Sequence, residues 1–518
     1  MTAMRYTPKD EIDARVRTLQ QTLDQLGLDG ALVVHHTNLF YLSGTSQAAH
    51  LFVPRTGEPL LMVRKSFARA RRESPLAGII EVRSLKTIPQ ELAERGFCLD
   101  ALGLELDVMP YKTWQFYQKV FAASTMQDIG EPIRSQRRIK SPYEADLLQE
   151  SCAVLDQVFA EVPAMLRESM TEIELASLFE AAMRRRGYGG CSKMRAFNQD
   201  FFLGNVTSGG SGAEPSYFDG PVGGSGLTPA NNPHGAGWKR IGRDEVVYID
   251  YTCVINGYTA DGARMFVIGD VSAELRAAHE AALAIQRELV GMLRPGTICE
   301  EVYLRAEEMA REMGLAEHFM GLGPDRVRFI GHGVGLELDE YPTFAKGVRT
   351  ALEPGMNFAL EPKFVFADGA IRTENTFLLT ADGARMFVIG DVSPELRAAH
   401  EASLAIQREL VGMLRPGTVC ETVYLRAEAL ARDLGLAEHF MGLGPDRVRF
   451  IGHGVGLELD EYPIFAKGVN TVLEPGMTFA LEPKFVFPEG AIGTENTFLL
   501  TGDGVRVLTR APETITRV

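Results

Sequence analysis

Four carboxylates and one imidazole stand out by their settings: Asp250, Asp261, His332, Glu361 and Glu374. Each lies in or beside a β-type run with glycine or proline close by. Asp250 ends the run Val246-Val247-Tyr248-Ile249, and Asp261 follows 11 positions later, shortly before Met265-Phe266-Val267-Ile268. Asn256-Gly257 between them tolerates φ > 0 and fits the turn of a hairpin. With the turn there, the two aspartates fall roughly opposite each other, close enough to share a cation. His332 sits in IGHGVGLELDEYP, Glu361 in LEPGMNFALEPKF and Glu374 in AIRTENTFLL. Four acids converging without a cation would repel one another and shift their pKa values up. A pair of divalent ions removes that repulsion and gives the cluster a reason. Oxygen-rich ligands with one imidazole suit Mn, Co, Fe or Zn. Two such ions can hold a hydroxide at neutral pH and polarise a carbonyl. Taken alone, Asp250 and Asp261 read equally well as solvated strand-end aspartates.

The elements that must position these residues follow from the rest of the chain. Its 518 residues are 45% hydrophobic and 23% charged, which suits two or three globular domains, and the alternation of strand-like and helical runs suggests an α/β (α+β) class. A net charge of −15 argues against nucleic acid or an anionic membrane as the main partner. The N-terminus lacks the apolar core of a signal peptide, and no apolar run is long enough to span a membrane. The 6 cysteines form no CxxC pair and read as buried free thiols of a cytoplasmic protein. A helix over 9–27 precedes strand-like runs at 29–34, 51–53, 59–63, 79–82 and 102–105, so residues 1–135 form a small α/β domain. The adjacent His35 and His36 read as a surface pair. Residues 138–169 are helical, opened by a capping box at Ser141 with Pro142 at the first helical position. Thr171 opens the next helix in the same way. The Gly/Pro/Ser/Asn-rich stretch 203–236 is a linker or, given Tyr217, Phe218 and His234, a loop lining a site.

Residues 259–379 recur at 380–500 with a constant offset of 121, and 15 positions differ between the copies. Each copy predicts two helices, 272–293 and 297–313 in the first, the second opened by a capping box from Thr297 to Glu300. The likeness of LLTGDGVRVLTR near the end to LLTADGARMFVI at the junction suggests unequal recombination, and an artificial join would leave the same trace. The second-copy counterparts of the candidate ligands are His453, Glu482 and Glu495. That copy lacks the first aspartate, since Ile371 stands 11 before Asp382, and Gly493 replaces Arg372.

The order Asp, 11 residues, Asp, then GHGxG, LEPGMxFxxEP and a Glu before Asn-Thr resembles the pita-bread metallopeptidases: methionine aminopeptidase, prolidase, aminopeptidase P and the non-peptidase creatinase. NLFYLSG at 38–44 is similar to their creatinase/prolidase N-terminal domain, and RRIKSPYEADLLQESC to their linker into the catalytic domain. The resemblance implies an N-terminal domain (1–135), a catalytic domain (136–390) and a repeated half (391–518). It also implies two divalent ions, a small peptide or amide substrate, and a homodimer formed through the N-terminal domain. Carried over, Asp250 chelates one ion, Asp261 and Glu374 bridge both, and His332 and Glu361 hold the other. Glu361 also shuttles a proton. His234 stands at a substrate-side position, and Arg372 pairs with the cluster or with a substrate carboxylate.

Two positions depart from that pattern. Asp339 replaces a second histidine that stabilises the tetrahedral intermediate, and a carboxylate cannot donate a hydrogen bond unless protonated. Asp339 suits a substrate with a cationic group instead. Ala263 replaces a threonine beside the second aspartate. The sequence therefore supports an Xaa-Pro dipeptidase or aminopeptidase, a creatinase-like hydrolase of a small C–N substrate, or an inactive binding module of the same fold. The first copy is expected to complete the site, because the shorter join closes a smaller loop. The extra half would then dock on or swap into another chain, or remain partly disordered. The rival arrangement uses the second copy.

Overall fold

Asn256 and Gly257 both adopt positive φ, 50° and 90°, and close a two-residue hairpin in which Ile255 faces Tyr258. A pair of left-handed residues matches the twist of the strands it joins, and Asn-Gly is the pair that adopts it at least cost. In this computed structural model the described residues are 5–190, 192–195, 201–202, 204–218, 220, 222–229, 233–381, 383–386, 394–442, 448–454, 461–487, 490–493 and 496–507. They fall into two units, one ending at Ile389 and one starting at Gly390.

The first unit begins with a helix, Lys9–Leu26, that buries Ile12, Val16, Leu19 and Leu23 along one stripe and stops at Gly27, whose φ is 69°. It covers a sheet of six strands: β1 (Gly30–Val33), β2 (Ala49–Pro54), β3 (Leu60–Val63), β4 (Ile79–Glu81), β5 (Ala101–Leu104) and β6 (Thr125–Asp128). Their order is β4-β3-β2-β1-β5-β6, so the mixed α/β domain expected at the N-terminus is present. The helix Pro142–Met165 follows. Both bonds of the expected capping box form: Glu144 N donates to Ser141 Oγ at 3.2 Å and Ser141 N to Glu144 Oε2 at 3.0 Å. Thr171 and Glu174 cap Glu172–Arg185 in the same way.

A short ribbon, β7 (Ser192–Lys193) with β8 (Phe201–Phe202), precedes β9 (Gly204–Ser208), β10 (Val246–Ile255) and β11 (Tyr258–Val267), which form a three-stranded sheet. After two helices come β12 (Phe329–Gly333), β13 (Glu340–Ala345), β14 (Asn357–Leu360), β15 (Lys363–Phe366), β16 (Gly369–Arg372), β17 (Asn375–Thr380) and β18 (Gly383–Met386), the second half of this region. Five of these form the sheet β13-β12-β14-β17-β18, while β15 and β16 make a separate ribbon. The halves meet at β11 and β17. Thr376 Oγ1 donates to Asp261 O at 2.8 Å and accepts from Asp261 N at 3.2 Å.

The helices Ala273–Met292 and Cys299–Glu312 bury one face each on the second half. The capping box expected from Thr297 to Glu300 does not form. Thr297 Oγ1 instead donates to Met292 O at 2.9 Å, and the helix's first amides are taken by backbone: Cys299 N by Thr350 O at 3.0 Å and Glu300 N by Val348 O at 3.0 Å. His35 also departs from expectation. It is partly buried, with Nδ1 3.3 Å from Arg195 Nη1 and 3.9 Å from Glu337 Oε1. Cys152, Cys253, Cys299 and Cys420 are buried, but Cys98 is exposed, and Cys191 lies outside the described residues.

In the second unit, strands Phe450–Gly454, Glu461–Ala466, Thr478–Leu481, Asn496–Thr501 and Gly504–Val507 form a five-stranded sheet in the order seen in the first. Lys484–Phe487 and Gly490–Gly493 repeat the ribbon, and Ile406, Leu410, Val423 and Phe479 share a core of their own. Among the described residues, no helix is long and apolar enough to cross a membrane.

Candidate metal centre and active site

The hairpin register places Asp250 opposite Ala263 and Asp261 opposite Thr252. The two aspartates are therefore diagonal neighbours on one face of the hairpin, two residues from the directly opposed pairing the sequence suggested. Both are buried, and their face meets the second half of the domain. His332, on β12, turns Nε2 towards Asp261 Oδ2 at 3.6 Å and Glu361 Oε1 at 3.9 Å. Its Nδ1 faces three oxygens: Leu338 O at 3.1 Å, Gly333 O at 3.2 Å and Asp339 Oδ1 at 3.4 Å. That surrounding puts the ring proton on Nδ1 and leaves the Nε2 lone pair directed into the cluster, as a metal-ligating histidine requires. Glu361 follows β14. Glu374, fully buried, lies between β16 and β17. One ligand atom from each of Asp261, His332 and Glu374 lies within 4.8 Å of the others.

Cations of the chain itself face the carboxylates. Arg372, at the end of β16, pairs with Asp250, with Glu374 and, at 2.5 Å, with Glu361 Oε2. Lys363, at the head of β15, pairs with the same Glu361 oxygen. Tyr248 donates its hydroxyl to Asp250 Oδ2 at 2.9 Å. Burial, with the charge of Asp250 added, pushes the Asp261 carboxyl up to about 7. Burial raises Glu374 well above the ordinary range despite Arg372. Glu361 goes the other way: burial would raise it, but Lys363, Arg372 and His332 hold it down to about 2. Against the same burial, the carboxylates of Asp339, Glu361 and Asp261 raise His332.

These residues fit a divalent ion. Asp261 Oδ1 and Glu374 Oε1 are buried without a hydrogen bond among the described residues, while Glu374 Oε2 pairs with Arg372. A buried carboxylate oxygen left that way is costly, and a cation removes the cost. Hard oxygen donors joined by one imidazole nitrogen are a suitable donor set for Mn, Co, Fe or Zn.

The cluster opens on a cavity of about 270 Å³. Asp250, Asp261, His332, Asp339, Thr343, Glu361 and Arg372 line it, while Glu374 is not part of the lining. His234 and Phe218 line it from the loop, their rings 4.9 Å apart. Burial lowers His234 to about 4, which keeps the ring neutral at pH 7, and Ser216 Oγ lies 2.8 Å from its Nδ1. Of the loop's aromatics, Tyr217 is exposed and is not part of the lining. The sequence reading overlooked Lys363. Its signal was a lone lysine opening the otherwise apolar run Phe364-Val365-Phe366.

In the second unit, His453 Nε2 lies 3.8 Å from Glu482 Oε1, and Lys484 pairs with Glu482. Glu495 lies outside the described residues. The aspartate hairpin is thus brought together with the first-copy residues.

A small α/β domain leading into a two-halved catalytic region, with buried acids and one histidine converging on a cavity, defines a two-domain metallohydrolase. Residues 15–139 match the Creatinase/Prolidase N-terminal domain, and residues 146–381 and again 379–502 match Metallopeptidase family M24. The chain belongs to metallopeptidase family M24. It is 26% identical over 375 residues to an Xaa-Pro dipeptidase of Pyrococcus furiosus, covering 72% of this chain and 96% of the relative. It is 25% identical to the Bacillus subtilis protein described as "Uncharacterized peptidase YqhT", over 72% of this chain and 96% of that one. Among solved structures, the prolidase of Pyrococcus horikoshii superposes with a TM-score of 0.62 at 24% identity, covering 73% of this chain and 99% of that one. The chain is a metallopeptidase-type hydrolase with the prolidase-like fold.

Proposed function

We propose that this chain is a divalent-metal-dependent amidohydrolase that cuts an Xaa-Pro or related bond in a small peptide. The observation that carries the reading is the convergence of Asp261, His332 and Glu374, with carboxylate oxygens that no hydrogen bond satisfies. Two ions would be held here: Asp250 would serve one, Asp261 and Glu374 would serve both, and His332 and Glu361 would serve the other. When bound, the ions polarise the amide carbonyl and make water nucleophilic at neutral pH. Glu361 carries the proton from the attacking water to the leaving amine through Oε1, because Lys363 and Arg372 occupy Oε2. His234, neutral and fixed by Ser216, offers a polar contact to the substrate from the cavity lining. A creatinase-like reading is supported by Asp339, whose carboxylate on the cavity wall suits a cationic substrate group.

Hydrolysis of Ala-Pro, Met-Ala and creatine with added Mn or Co tests this. Wild-type activity is expected to vanish on chelation. Glu361→Gln should lower kcat by roughly 100- to 10,000-fold, the usual range for losing a positioned acid–base group. Glu482→Gln should leave the rate unchanged. Loss with Glu482→Gln alone would assign the site to the second copy. No turnover by metal-loaded wild type on the whole panel would refute the reading.

A further inference from the structure

Glu172 is the first residue of the helix Glu172–Arg185 and is fully buried. The start of that helix is already capped by Thr171 and Glu174, so the carboxylate of Glu172 serves something else. Its Oε1 accepts Ser208 N at 2.7 Å, Ser208 Oγ at 2.9 Å and the Ser211 hydroxyl. Its Oε2 accepts Gly237 N at 3.1 Å. Lys239 Nζ, held by Glu245 at 2.7 Å, donates to Ser208 Oγ at 2.8 Å and so brings a cation one bond away. The backbone repeats the link. Glu172 N donates to Lys239 O at 3.0 Å and Ile173 N to Gly237 O at 3.2 Å. First-turn amides have no partner inside their own helix, and here carbonyls just beyond His234 supply it. A carboxylate is buried at a high cost unless its oxygens are hydrogen-bonded, so the residue and its donors hold one another in place.

Those donors are the two ends of the stretch that brings Phe218 and His234 to the cavity. At the entry, Ser211 stands shortly before Ser216, whose Oγ lies 2.8 Å from His234 Nδ1. At the exit, Gly237 stands shortly after His234. Between the ends, the described residues form no strand ladder. They are held by isolated backbone bonds, such as Gly235 N to Gly223 O at 2.7 Å and Gly226 N to Gly235 O at 3.0 Å. One side chain thus fastens both ends of a stretch with little regular structure of its own. Glu172 is not part of the cavity lining.

We infer that Glu172 is a positioning residue of the active site: it clamps Ser208, Ser211 and Gly237 together and thereby sets where His234 stands in the cavity. The inference rests on the hydrolase reading for the contact of His234 with substrate.

The test uses the full chain loaded with Mn and two arms. Glu172→Gln keeps the size of the side chain but replaces one acceptor oxygen with a donor. Ser211→Ala removes one donor only and is the milder variant. In the first arm, hydrogen exchange is followed by mass spectrometry. Exchange in peptides holding Gly223, Gly226, Gly235 and Gly237 is expected to quicken roughly tenfold in Glu172→Gln, the scale of one charge-assisted hydrogen bond, with β10 and β11 unchanged. The second arm is a double-mutant cycle with His234→Ala, read as kcat/KM on the best substrate among Ala-Pro, Met-Ala and creatine. Glu172→Gln should lower it by roughly 10- to 100-fold, as misplacement of a positioned group does. In the His234→Ala background the same change should cost about nothing more, because the two act as a unit. Should Glu172→Gln fail to fold, Ser211→Ala carries both readouts and should show the same pattern at smaller size. Losses that multiply in the cycle, or exchange that quickens in β10 and β11 as much as in the loop, overturn the inference while amide hydrolysis stands. Loop exchange that quickens alone, with no substrate cut by wild type, refutes the hydrolase reading and retains the clamp.

Discussion

Arg372 shows how far a single side chain shapes the site. Its guanidinium touches three of the four cluster carboxylates, and the second copy carries Gly493 at the same place. Without a divalent ion, Arg372 is the main compensation for those buried charges, with Lys363 holding one oxygen of Glu361. Removing one partner of a buried ion pair costs about 3–5 kcal/mol because the other charge stays buried. Arg372→Met is therefore expected to lower the melting temperature markedly in chelator and to be rescued by Mn to a larger degree than wild type. Thermal unfolding with EDTA and with Mn checks this, and equal Mn-induced shifts in the two proteins would rule out a compensating role. At this scale the sequence was informative where spacing was unusual. Asp250, Asp261, His332, Glu361 and Glu374 could each be picked out because an acid or imidazole beside a glycine-rich β-run has little structural purpose. Lys363 was not, because a lysine opening a strand normally lies in solvent, and only the ribbon pairing with Arg372 turns it inward.

At the scale of elements, the loop after β12 is held by charges from outside the catalytic region's second half. Glu340 accepts from Arg137 and from Lys140 Nζ at 3.0 Å, and its Oε1 also accepts Glu337 N at 3.2 Å. Burial would raise Glu340, but Arg137 and Lys140 hold it down to about 2, from 4.5. A carboxyl depressed in the folded state stabilises fully above its unfolded pKa, and loses that contribution as pH falls through the folded one. Glu340 thus contributes stability that disappears between roughly pH 4.5 and 2. In urea unfolding, Glu340→Gln should be clearly less stable than wild type at pH 6, with the gap closing towards pH 2. A gap independent of pH would rule out the ion pair as its origin. The hairpin turn invites a second test. A Cβ on Gly257 meets nothing closer than Leu336 at 3.8 Å, so Gly257→Ala reports the φ of 90° alone. It should cost about 1 kcal/mol and leave metal binding intact, measured by unfolding and metal content. Element positions were readable from periodicity, and the Ser141 and Thr171 caps from four-residue patterns. Thr297 followed the same pattern and failed. The loop residues Val348 and Thr350, beyond β13, supply the acceptors, and such long-range backbone pairing leaves no local trace in sequence.

For the whole molecule, the repeat raises the question of which residues suffice. β18 pairs with β17 from Phe377↔Met386 to Thr380↔Gly383, and its sequence comes from the start of the second copy. The first unit therefore draws its last strand from across the junction and ends at Ile389 with its sheet complete. The same motif lysine separates the two units: Lys363 is 5% exposed, whereas Lys484 is 42% exposed. The second unit carries His453 and Glu482 but neither aspartate position: Asp250 precedes the repeat, and Asp382, the counterpart of Asp261, comes before Gly390 where that unit starts. A chain cut after residue 389 is expected to keep the melting temperature of the metal site, the metal content and the turnover of the full protein. A chain cut after residue 381 loses β18, leaving the backbone donors and acceptors of β17 without their partner strand. An open edge of that kind destabilises the sheet and invites association with other chains. That shorter chain should melt lower and aggregate in light scattering, and residues 390–518 alone should bind no Mn above the level of a nonspecific control. If the 389-residue chain lost its metal while the full chain kept it, the second copy would have to be supplying ligands, and the assignment of the site to His332, Glu361 and Glu374 would fall.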